Sequence, residues 1–338
     1  MTALTQYFLT IAETTVEVSS IDPEMSLQLG ETEKRFQAAN ALPDLQIEAS
    51  FGTTAIPHVS SIFDTGGVWK VYCQNDSYLF TFSSPVFGPL PYKTAEFNAG
   101  FSCGRVFLHR PYFSDSYQGD PLKWPLDEVL ISHLLGLGRG VELHAAGLVD
   151  ARGRGHLFVG HSGAGKSTMT RLWEDHTGVV ILSDDRIVLR RKAGQFVMYG
   201  TPWHGDTRHA APASTPVSAI YLLEHSDTTR LIPLSAPQAV ARLFAMSIAA
   251  VYCREAVEFT LGFLNRLADI VPCFALPFVP DTCVKDFVLN GGVAARTNSA
   301  TYPCHVSGLG HTPMIAERKY TQPLTVANTK NAHVHGGQ

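Results

Sequence analysis

The sequence lacks an excess of charge of either sign. Of its 338 residues 17% are charged, with 26 Lys and Arg against 30 Asp and Glu, so the formal net charge is −4. A chain of this balance has no general attraction to nucleic acid or to an anionic membrane surface. We therefore expect neither nucleic acid nor a membrane among its partners.

Long hydrophobic runs and targeting signals are also missing. Residues 1–18 have no basic region ahead of an apolar core, so no secretory signal is expected. Arg242, Arg254 and Glu255 interrupt the most hydrophobic region, which is then too short to cross a bilayer. A cytoplasmic location is predicted. The hydrophobic content of 45% is typical of a globular protein, and the length allows two domains.

Cysteine is scarce, and its spacing is not that of a metal site. No C-x-x-C pair occurs, which in a long intracellular chain predicts reduced, structural thiols. His204 and His209 are five residues apart across a glycine, which is poor spacing for metal ligands, so no structural zinc is predicted. The six cysteines are Cys73, Cys103, Cys253, Cys273, Cys283 and Cys304.

The strongest motif present is a phosphate-binding pattern, G-x-x-x-x-G-K-[ST]. In this pattern glycines let backbone N–H groups turn toward phosphate oxygens, while the lysine reaches the β- and γ-phosphates and the hydroxyl residue holds Mg²⁺. With the following Thr168, it is the predicted ATP site. The pattern is formed by Gly160, His161, Ser162, Gly163, Ala164, Gly165, Lys166 and Ser167.

The flanking sequence favours a nucleotide site. Residues 156–159 are a short apolar run that predicts a strand, and residues 168–173 predict a helix that stops near Gly178. Strand, loop and helix in this order direct the partial positive charge of a helix N-terminus at bound phosphates. The alternative is a glycine-rich turn that binds nothing, which does not explain Lys166 beside Ser167 at the start of a helix.

Two adjacent carboxylates follow the next predicted strand. Residues 179–183 are mostly apolar, which predicts burial on both faces, and Asp184 and Asp185 end the strand. Carboxylates at the end of a strand beside a phosphate-binding loop can hold Mg²⁺ or accept a proton from an attacking hydroxyl. Without the loop, a polar strand end entering a turn would be the simpler interpretation.

These segments resemble the core of HPr kinase/phosphorylase and of its relative phosphoenolpyruvate carboxykinase. In that superfamily a histidine lies one strand before the loop, and paired aspartates lie about one helix and one strand after it. The resemblance implies that His144, at the start of a strand, lies near the metal and the transferred phosphoryl group. It also implies that Asp184 is the general base and Asp185 the metal-side carboxylate. It is strong over residues 140–190 and looser to about residue 290.

The resemblance implies an α/β fold class, with a P-loop nucleotide-binding domain of HPr kinase/phosphoenolpyruvate carboxykinase type over residues 121–290. A β-rich N-terminal domain is predicted over residues 1–120, and a poorly ordered tail over residues 291–338. Two departures bear on the substrate. Thr168 stands where the family usually has Glu, and the glycine-rich signature that contacts HPr is not found, which disfavours HPr. Arginines for oxaloacetate are not evident either, which disfavours carboxykinase chemistry.

The predicted function is ATP-dependent and Mg²⁺-dependent transfer of a phosphoryl group to a hydroxyl, with serine favoured, of an unidentified peptide, protein or small molecule. Two alternatives are left open. One is a nucleotide-binding regulatory module without kinase activity, and the other is a phosphorylase- or carboxykinase-like enzyme. GTP or pyrophosphate as the donor and a homo-oligomeric state also stay open.

Short segments rich in β-branched and aromatic residues, separated by turn signals, make the N-terminal part β-rich. Residues 69–73 and 78–82 predict a hairpin, and residues 93–98 and 104–109 predict further strands. Residues 24–37 are left open between a helix and a pair of strands.

From about residue 126 onward, helical and strand patterns alternate. His133 lies in the apolar stripe of a helix and is predicted to be a core residue rather than a ligand. Pro277 cannot donate a ladder hydrogen bond, which predicts an edge strand there. Predicted helices span 126–137, 235–249 and 255–268, and predicted strands span 186–189, 196–199, 219–223, 231–234 and 274–278.

A loop over residues 200–208 carries Trp203, His204, Asp206 and Arg208. This combination is unusual for a simple connector, because loops on rigid sheets commonly carry function. Arg208 is predicted to neutralise charge on the transferring phosphoryl group. The alternative is a surface turn with one anchoring tryptophan.

Overall fold

Two large sheets and the helices that pack on them make up a mixed α/β fold, as expected from the sequence. The computed structural model of the protein describes residues 5–39, 41–113 and 117–294. One sheet has nine strands, from residues 6–108, and the other has eight strands, from residues 141–278. The glycine-rich loop, residues 160–167, directly follows a strand of the second sheet.

The nine-stranded sheet has the spatial order β4-β1-β2-β5-β10-β9-β8-β7-β6, and the short strands β3 and β11 pair with each other outside it. Two 3₁₀ turns, Glu33–Phe36 and Arg110–Tyr112, complete this part. The strands are β1 (Gln6–Ile11), β2 (Thr14–Ser19), β3 (Ser26–Leu27), β4 (Gln37–Ala38), β5 (Leu45–Phe51), β6 (Phe63–Asp64), β7 (Trp69–Gln74), β8 (Ser77–Phe82), β9 (Lys93–Asn98), β10 (Cys103–Leu108) and β11 (Gln118–Gly119).

The predicted N-terminal hairpin is confirmed, with a tighter turn than expected. β7 and β8 pair as far as Gln74 opposite Ser77. Asn75 and Asp76 form the turn with φ of 51° and 57°, a left-handed pair that these residue types tolerate in two-residue hairpin loops. Residues 24–37 form neither of the two expected structures, since they hold β3, a turn and the first 3₁₀ helix.

The eight-stranded sheet follows the order β13-β12-β15-β16-β17-β19-β18, with β14 pairing to β12 and β13 pairing also to β17. Its elements and their helices are α1 (Leu126–Gly136), β12 (Val141–Val149), β13 (Gly155–Val159), α2 (Lys166–Glu174), β14 (Val180–Ser183), β15 (Arg186–Lys192), β16 (Gln195–Tyr199), β17 (Ser214–His225), β18 (Ile232–Pro233), α3 (Ala236–Ala245), α4 (Arg254–Ile270), β19 (Cys273–Phe278) and α5 (Cys283–Ala294).

Both faces of this sheet are buried, which explains its uninterrupted apolar runs. In β13, Leu157 and Val159 belong to the core that α3 and α4 cover. Phe158, between them, belongs to the core that α2 and α5 cover. The alternation of a strand therefore divides these residues between two cores.

Helix α1 packs into the N-terminal core. Leu126, Leu130 and Leu134 share one apolar cluster with aromatic residues of the nine-stranded sheet. His133 is 1% exposed and stacks on Phe101 with ring centroids 3.6 Å apart. Burial lowers the pKa of His133 to about 4, so it is neutral at pH 7, and its predicted core position is confirmed. The domain boundary near residue 120 stays a prediction.

The turn between β1 and β2 joins the two sheets by contacting the hairpin formed by β15 and β16. Arg190 Nη1 donates to the carbonyl oxygen of Ala12 at 2.6 Å, and Tyr199 donates to Glu13 Oε1 at 3.1 Å. Lys192 forms an ion pair with Glu13 as well. The second half of the chain is therefore held to the N-terminal sheet at this hairpin.

Two predictions about secondary structure, for β19 and for α3, are wrong. β19 is not an edge strand, because β18 covers it at Phe274 and Ala275; Pro277 lies beyond that short pairing, which is why a proline is tolerated. α3 begins with the predicted capping box but ends at Ala245 rather than near residue 249. The tail predicted from residue 291 starts inside α5, and residues 295–338 lie outside the described part.

The thiols of Cys73, Cys103, Cys253 and Cys273 are free, as predicted, and Cys304 falls outside the described residues. In the part of the chain that the structure describes, none of the helices combines the length and apolar character needed to span a membrane. The same residues contain no group of three or more His, Cys, Asp or Glu side chains that would hold a metal by themselves.

Candidate active site

The glycine-rich loop and the paired aspartates meet at one edge of the second sheet. β13 and β14 lie on opposite sides of β12, and both run antiparallel to it. They therefore run parallel to each other and end at the same edge. His144 lies between the two ends, because its neighbour Ala145 pairs with Val159 and donates its N–H to the carbonyl oxygen of Asp185 at 3.0 Å.

This arrangement corrects one expectation about His144. The residue is not at the start of its strand but is the fourth residue of β12. It is opposite Arg186, the first residue of β15. The structure does bring His144 to the loop and to the aspartates, which were recognised separately in the sequence.

The path of the loop depends on its glycines. Gly163 and Gly165 have φ of 83° and 100°, in the left-handed region that favours glycine. A Cβ atom on Gly165 would lie 2.8 Å from the ring of Phe278, and one on Gly160 would lie 2.7 Å from Ala164 Cβ. α2 then begins at Lys166, two residues before the predicted helix, so its N-terminal end adjoins the loop.

We expect Gly165→Ala to lower the free energy of unfolding more than Gly194→Ala does. Both positions require a positive φ, which costs about 1–2 kcal/mol for a residue with a Cβ. Only Gly165 has a close neighbour; Gly194, in the β15–β16 turn, has nothing within 4 Å. Overpacking against Phe278 should add about 1–3 kcal/mol. Chemical denaturation of both variants measures the difference, and equal losses would contradict the close packing of the loop.

Lys166 lies across the loop. Its Nζ donates to the carbonyl oxygens of Gly160 at 2.9 Å and His161 at 3.2 Å, and the residue is 6% exposed. Burial lowers the pKa of Lys166 to about 8, although the charge of Asp185 acts in the opposite direction. Neutral carbonyl groups are weaker partners for an ammonium than phosphate oxygens. An anion bound in the loop would therefore replace them.

Other loop residues are arranged for access from solvent. His161, Ser162 and Gly163 are exposed, while Ser167 and Thr168, at the first turn of α2, are partly exposed. His225, at the end of β17, places its Nε2 at 2.7 Å from the carbonyl oxygen of Gly163. The sequence did not indicate His225, because the pairing of β17 with β13 that brings it here is not local.

Asp184 anchors the loop of residues 200–208. Its Oδ1 accepts the N–H of Gly205 at 2.8 Å, and its Oδ2 accepts the N–H of Thr207 at 2.9 Å. The residue is 1% exposed. Each oxygen therefore already accepts a backbone hydrogen bond, a contact that no feature of the sequence predicted.

Asp185 contacts the other charged groups of the site. Its Oδ1 is 3.0 Å from His144 Nε2, and its Oδ2 is 2.9 Å from Arg186 Nη1. Burial alone would raise the pKa of Asp185, but the hydrogen bond with His144 and the charges of Arg186 and Lys166 lower it. The carboxylate is therefore ionised at pH 7 and close enough to Lys166 to interact electrostatically.

In the loop of residues 200–208, Trp203 is anchored by a hydrogen bond, whereas Arg208 is exposed. Trp203 Nε1 donates to Asp127 Oδ2 of α1 at 2.8 Å, which supports the anchoring interpretation of the tryptophan. Arg208 is exposed and has a φ of 57°. Within the described residues its side chain forms no hydrogen bond or ion pair, and the structure does not bring it into contact with the glycine-rich loop or the paired aspartates.

A cavity of about 760 Å³ lies beside this loop, with His204 in its wall. Lys93 contributes a buried ammonium group to the same wall, and burial lowers its pKa to about 8. Another cavity, of about 780 Å³, is lined by N-terminal residues between 17 and 105 and lies apart from the site. The aromatic residues around the first cavity are Phe87, Tyr92, Phe113, Tyr117 and Trp124.

Comparison with known proteins gives little further information. No protein-family model matches the sequence, and no curated protein matches it either. Among solved structures, the chain is similar to the HPr(Ser) kinase/phosphatase from Coxiella burnetii, with 11% sequence identity and a TM-score of 0.27; the match covers 46% of this chain and 99% of that one. A similarity of this size does not establish a family or a function.

Proposed function

We propose that the protein is an ATP-dependent phosphotransferase of HPr kinase-like type, with a P-loop nucleotide-binding fold in residues 121–290. The observation that supports it best is the position of Lys166. Its ammonium is buried in a loop whose glycine φ angles fit the phosphate-binding pattern, and it interacts with the ionised Asp185. Burial of a charged lysine against two carbonyl groups is costly. The cost is explained if the loop binds an anionic ligand.

Each residue of the site has a proposed role that agrees with its position. Backbone N–H groups of residues 160–168 and the N-terminus of α2 bind the phosphates, and Lys166 neutralises the β- and γ-phosphates. Ser167 and Asp185 would hold Mg²⁺, which supplies charge neutralisation. They fit this ion, because Mg²⁺ is usually bound by one or two carboxylates together with substrate phosphates. His144 fixes the orientation of Asp185.

The transfer itself needs an acceptor hydroxyl and a base. The acceptor oxygen forms a bond to the γ-phosphorus, the bond from that phosphorus to the bridging oxygen breaks, and ADP leaves with the electron pair. Asp184 takes the hydroxyl proton on a carboxylate lone pair that the N–H groups of Gly205 and Thr207 leave unoccupied. The cavity beside His204 gives a peptide or small-molecule acceptor room next to this loop.

Transfer of labelled phosphate tests the proposal. Incubation with γ-labelled ATP, Mg²⁺ and a panel of serine-containing peptides should label one class of acceptor and release ADP in equal amount. The same assay with GTP and pyrophosphate identifies the donor. Binding of Mg-ATP without any transfer or ADP release would favour the second candidate, a nucleotide-binding regulatory module, while absence of nucleotide binding would contradict both.

Arg208→Ala should lower the catalytic constant without changing ATP affinity. The guanidinium of Arg208 is exposed and contacts neither the glycine-rich loop nor the aspartates in the structure, so this role requires the loop that Asp184 anchors to bring it to the charge that develops in transfer. Its loss should cost about 2 kcal/mol of transition-state stabilisation. Single-turnover kinetics and a thermal melt measure the two effects, with Arg171→Ala on the exposed face of α2 as the control. Wild-type transfer would remove Arg208 from the mechanism.

A further inference from the structure

Arg186 lies at the centre of the charged groups of the site. It follows Asp185 directly, and its position on β15 is opposite His144 on β12. Its Nη1 is 2.9 Å from Asp185 Oδ2, and its side chain is 16% exposed. The charges of Arg186 and Asp185 both act on Lys166. Two cations therefore lie close to the same carboxylate, one from the loop and one from the sheet.

Two glutamates also lie near this guanidinium. Glu142 Oε1 is 3.6 Å from Arg186 Nε, and Glu128 Oε2 is 3.6 Å from Arg186 Nη2. Glu142 is two residues before His144, so both side chains lie on the same face of β12. These distances are within ion-pair range but longer than a hydrogen bond.

Glu142 is unusual for a core carboxylate. It is 1% exposed, and neither of its oxygens has a hydrogen-bond partner in the described structure. A buried carboxylate without hydrogen bonds is costly and needs an explanation. Burial raises the pKa of Glu142 well above its usual range, and Arg186 lies within ion-pair range of it. The position of Glu142 is explained if its carboxyl group orients that guanidinium.

We propose that Arg186 is a second cation of the site that contacts the transferring phosphoryl group, and that Glu142 is the residue that positions it. The inference rests on the proposed phosphoryl transfer. Arg186 neither gains nor loses a proton in the reaction described above; it stabilises charge on the equatorial oxygens of the transferring group. A planar guanidinium can form paired hydrogen bonds to phosphoryl oxygens that an ammonium cannot.

Binding of two nucleotide complexes tests this role without a known acceptor. Mg-AMP-PNP represents the ground state, and Mg-ADP with tetrafluoroaluminate represents the transferring phosphoryl group. Arg186→Gln should weaken the tetrafluoroaluminate complex about 100-fold and change Mg-AMP-PNP affinity by less than about 3-fold. Arg191→Gln removes the same charge from the exposed end of the same strand and should leave both affinities unchanged.

Two further variants separate positioning from structure. Glu142→Gln should weaken the tetrafluoroaluminate complex about 10-fold and leave Mg-AMP-PNP affinity unchanged. The affinity of Arg186→Lys for the tetrafluoroaluminate complex should lie between those of the wild type and Arg186→Gln. If Arg186→Gln does not fold with Glu142 left unpaired, the double variant Glu142→Gln/Arg186→Gln replaces both side chains and serves instead.

The outcomes distinguish the inference from the proposed function. Equal weakening of both complexes in Arg186→Gln, or normal binding of both, would overturn the role of Arg186 while leaving the nucleotide site intact. A lower melting temperature in Glu142→Gln with normal binding would show that Glu142 is only structural. If the wild-type protein binds neither complex, the phosphotransferase proposal fails together with this inference.

Discussion

Lys166→Ala is expected to abolish phosphoryl transfer and to weaken Mg-ATP binding while leaving the fold intact. The ammonium is a localised charge held inside the loop by two carbonyl groups. A hydrogen bond from a charged donor contributes about 1.5–3 kcal/mol, which corresponds to a loss of about 10-fold to 150-fold in affinity. Transfer should fall further, by about 1,000-fold, because the charge also stabilises the transition state.

Calorimetry at several pH values measures the affinity part of this effect. The pKa of Lys166 is lowered to about 8 by burial, so the side chain is charged below pH 8 and loses its proton above it. Wild-type affinity for Mg-ATP should therefore fall as the pH rises through about 8, whereas Lys166→Ala should show no such fall. Lys34→Ala, at an exposed position, is the control. Unchanged ATP affinity in a folded Lys166→Ala protein would contradict the phosphate-binding loop.

Substitution by asparagine is expected to have different effects at the two aspartates. Asp185→Asn should raise the Mg²⁺ concentration required for transfer and reduce the rate about 100-fold, since the neutral amide binds Mg²⁺ weakly and loses the charge beside His144 and Arg186. Asp184→Asn should bind Mg-ATP normally and lose transfer. It should also melt at a lower temperature, because an amide group cannot accept hydrogen bonds at both of its ends from Gly205 and Thr207.

Mg²⁺ titrations of transfer, ATP calorimetry and thermal melts on both variants decide between these assignments. The opposite pattern, with a raised Mg²⁺ requirement in Asp184→Asn, would exchange the roles of the two residues. Transfer at the wild-type rate in both variants would remove the pair from the mechanism. Asp206→Asn, in the same loop but exposed, is the control for charge alone.

Local signals account for the parts of the site that the sequence predicted. The loop, β13 and α2 lie within about twenty consecutive residues, where motif and periodicity are enough to indicate strand, turn and helix. The placement of Asp184 and Asp185 at a strand end was predictable for the same reason. Their different partners were not, because those depend on a loop about twenty residues further along the chain.

Non-local pairing explains most of what was missed. Arg186 and Glu142 look like ordinary charged residues in the sequence. Only the register of β12 against β15, which sets Arg186 opposite His144 and Glu142 opposite Val188, shows that they are diagonal neighbours. The helical periodicity of α1 identified its apolar face but not which sheet that face would cover. β17 is longer than predicted because its first residues, Ser214 to Pro216, are polar or unfavourable in strands yet pair with β16.

The β15–β16 hairpin has a consequence for how the molecule resists digestion. The same strand begins beside Asp185 and continues to Arg190, which holds the β1–β2 turn. Val188 and Tyr199 of this hairpin also belong to the N-terminal core. A ligand at 100 times its dissociation constant adds about 2.7 kcal/mol to the stability of whatever unfolds with its site. Nucleotide should therefore slow protease cleavage within the N-terminal strands, which it does not touch.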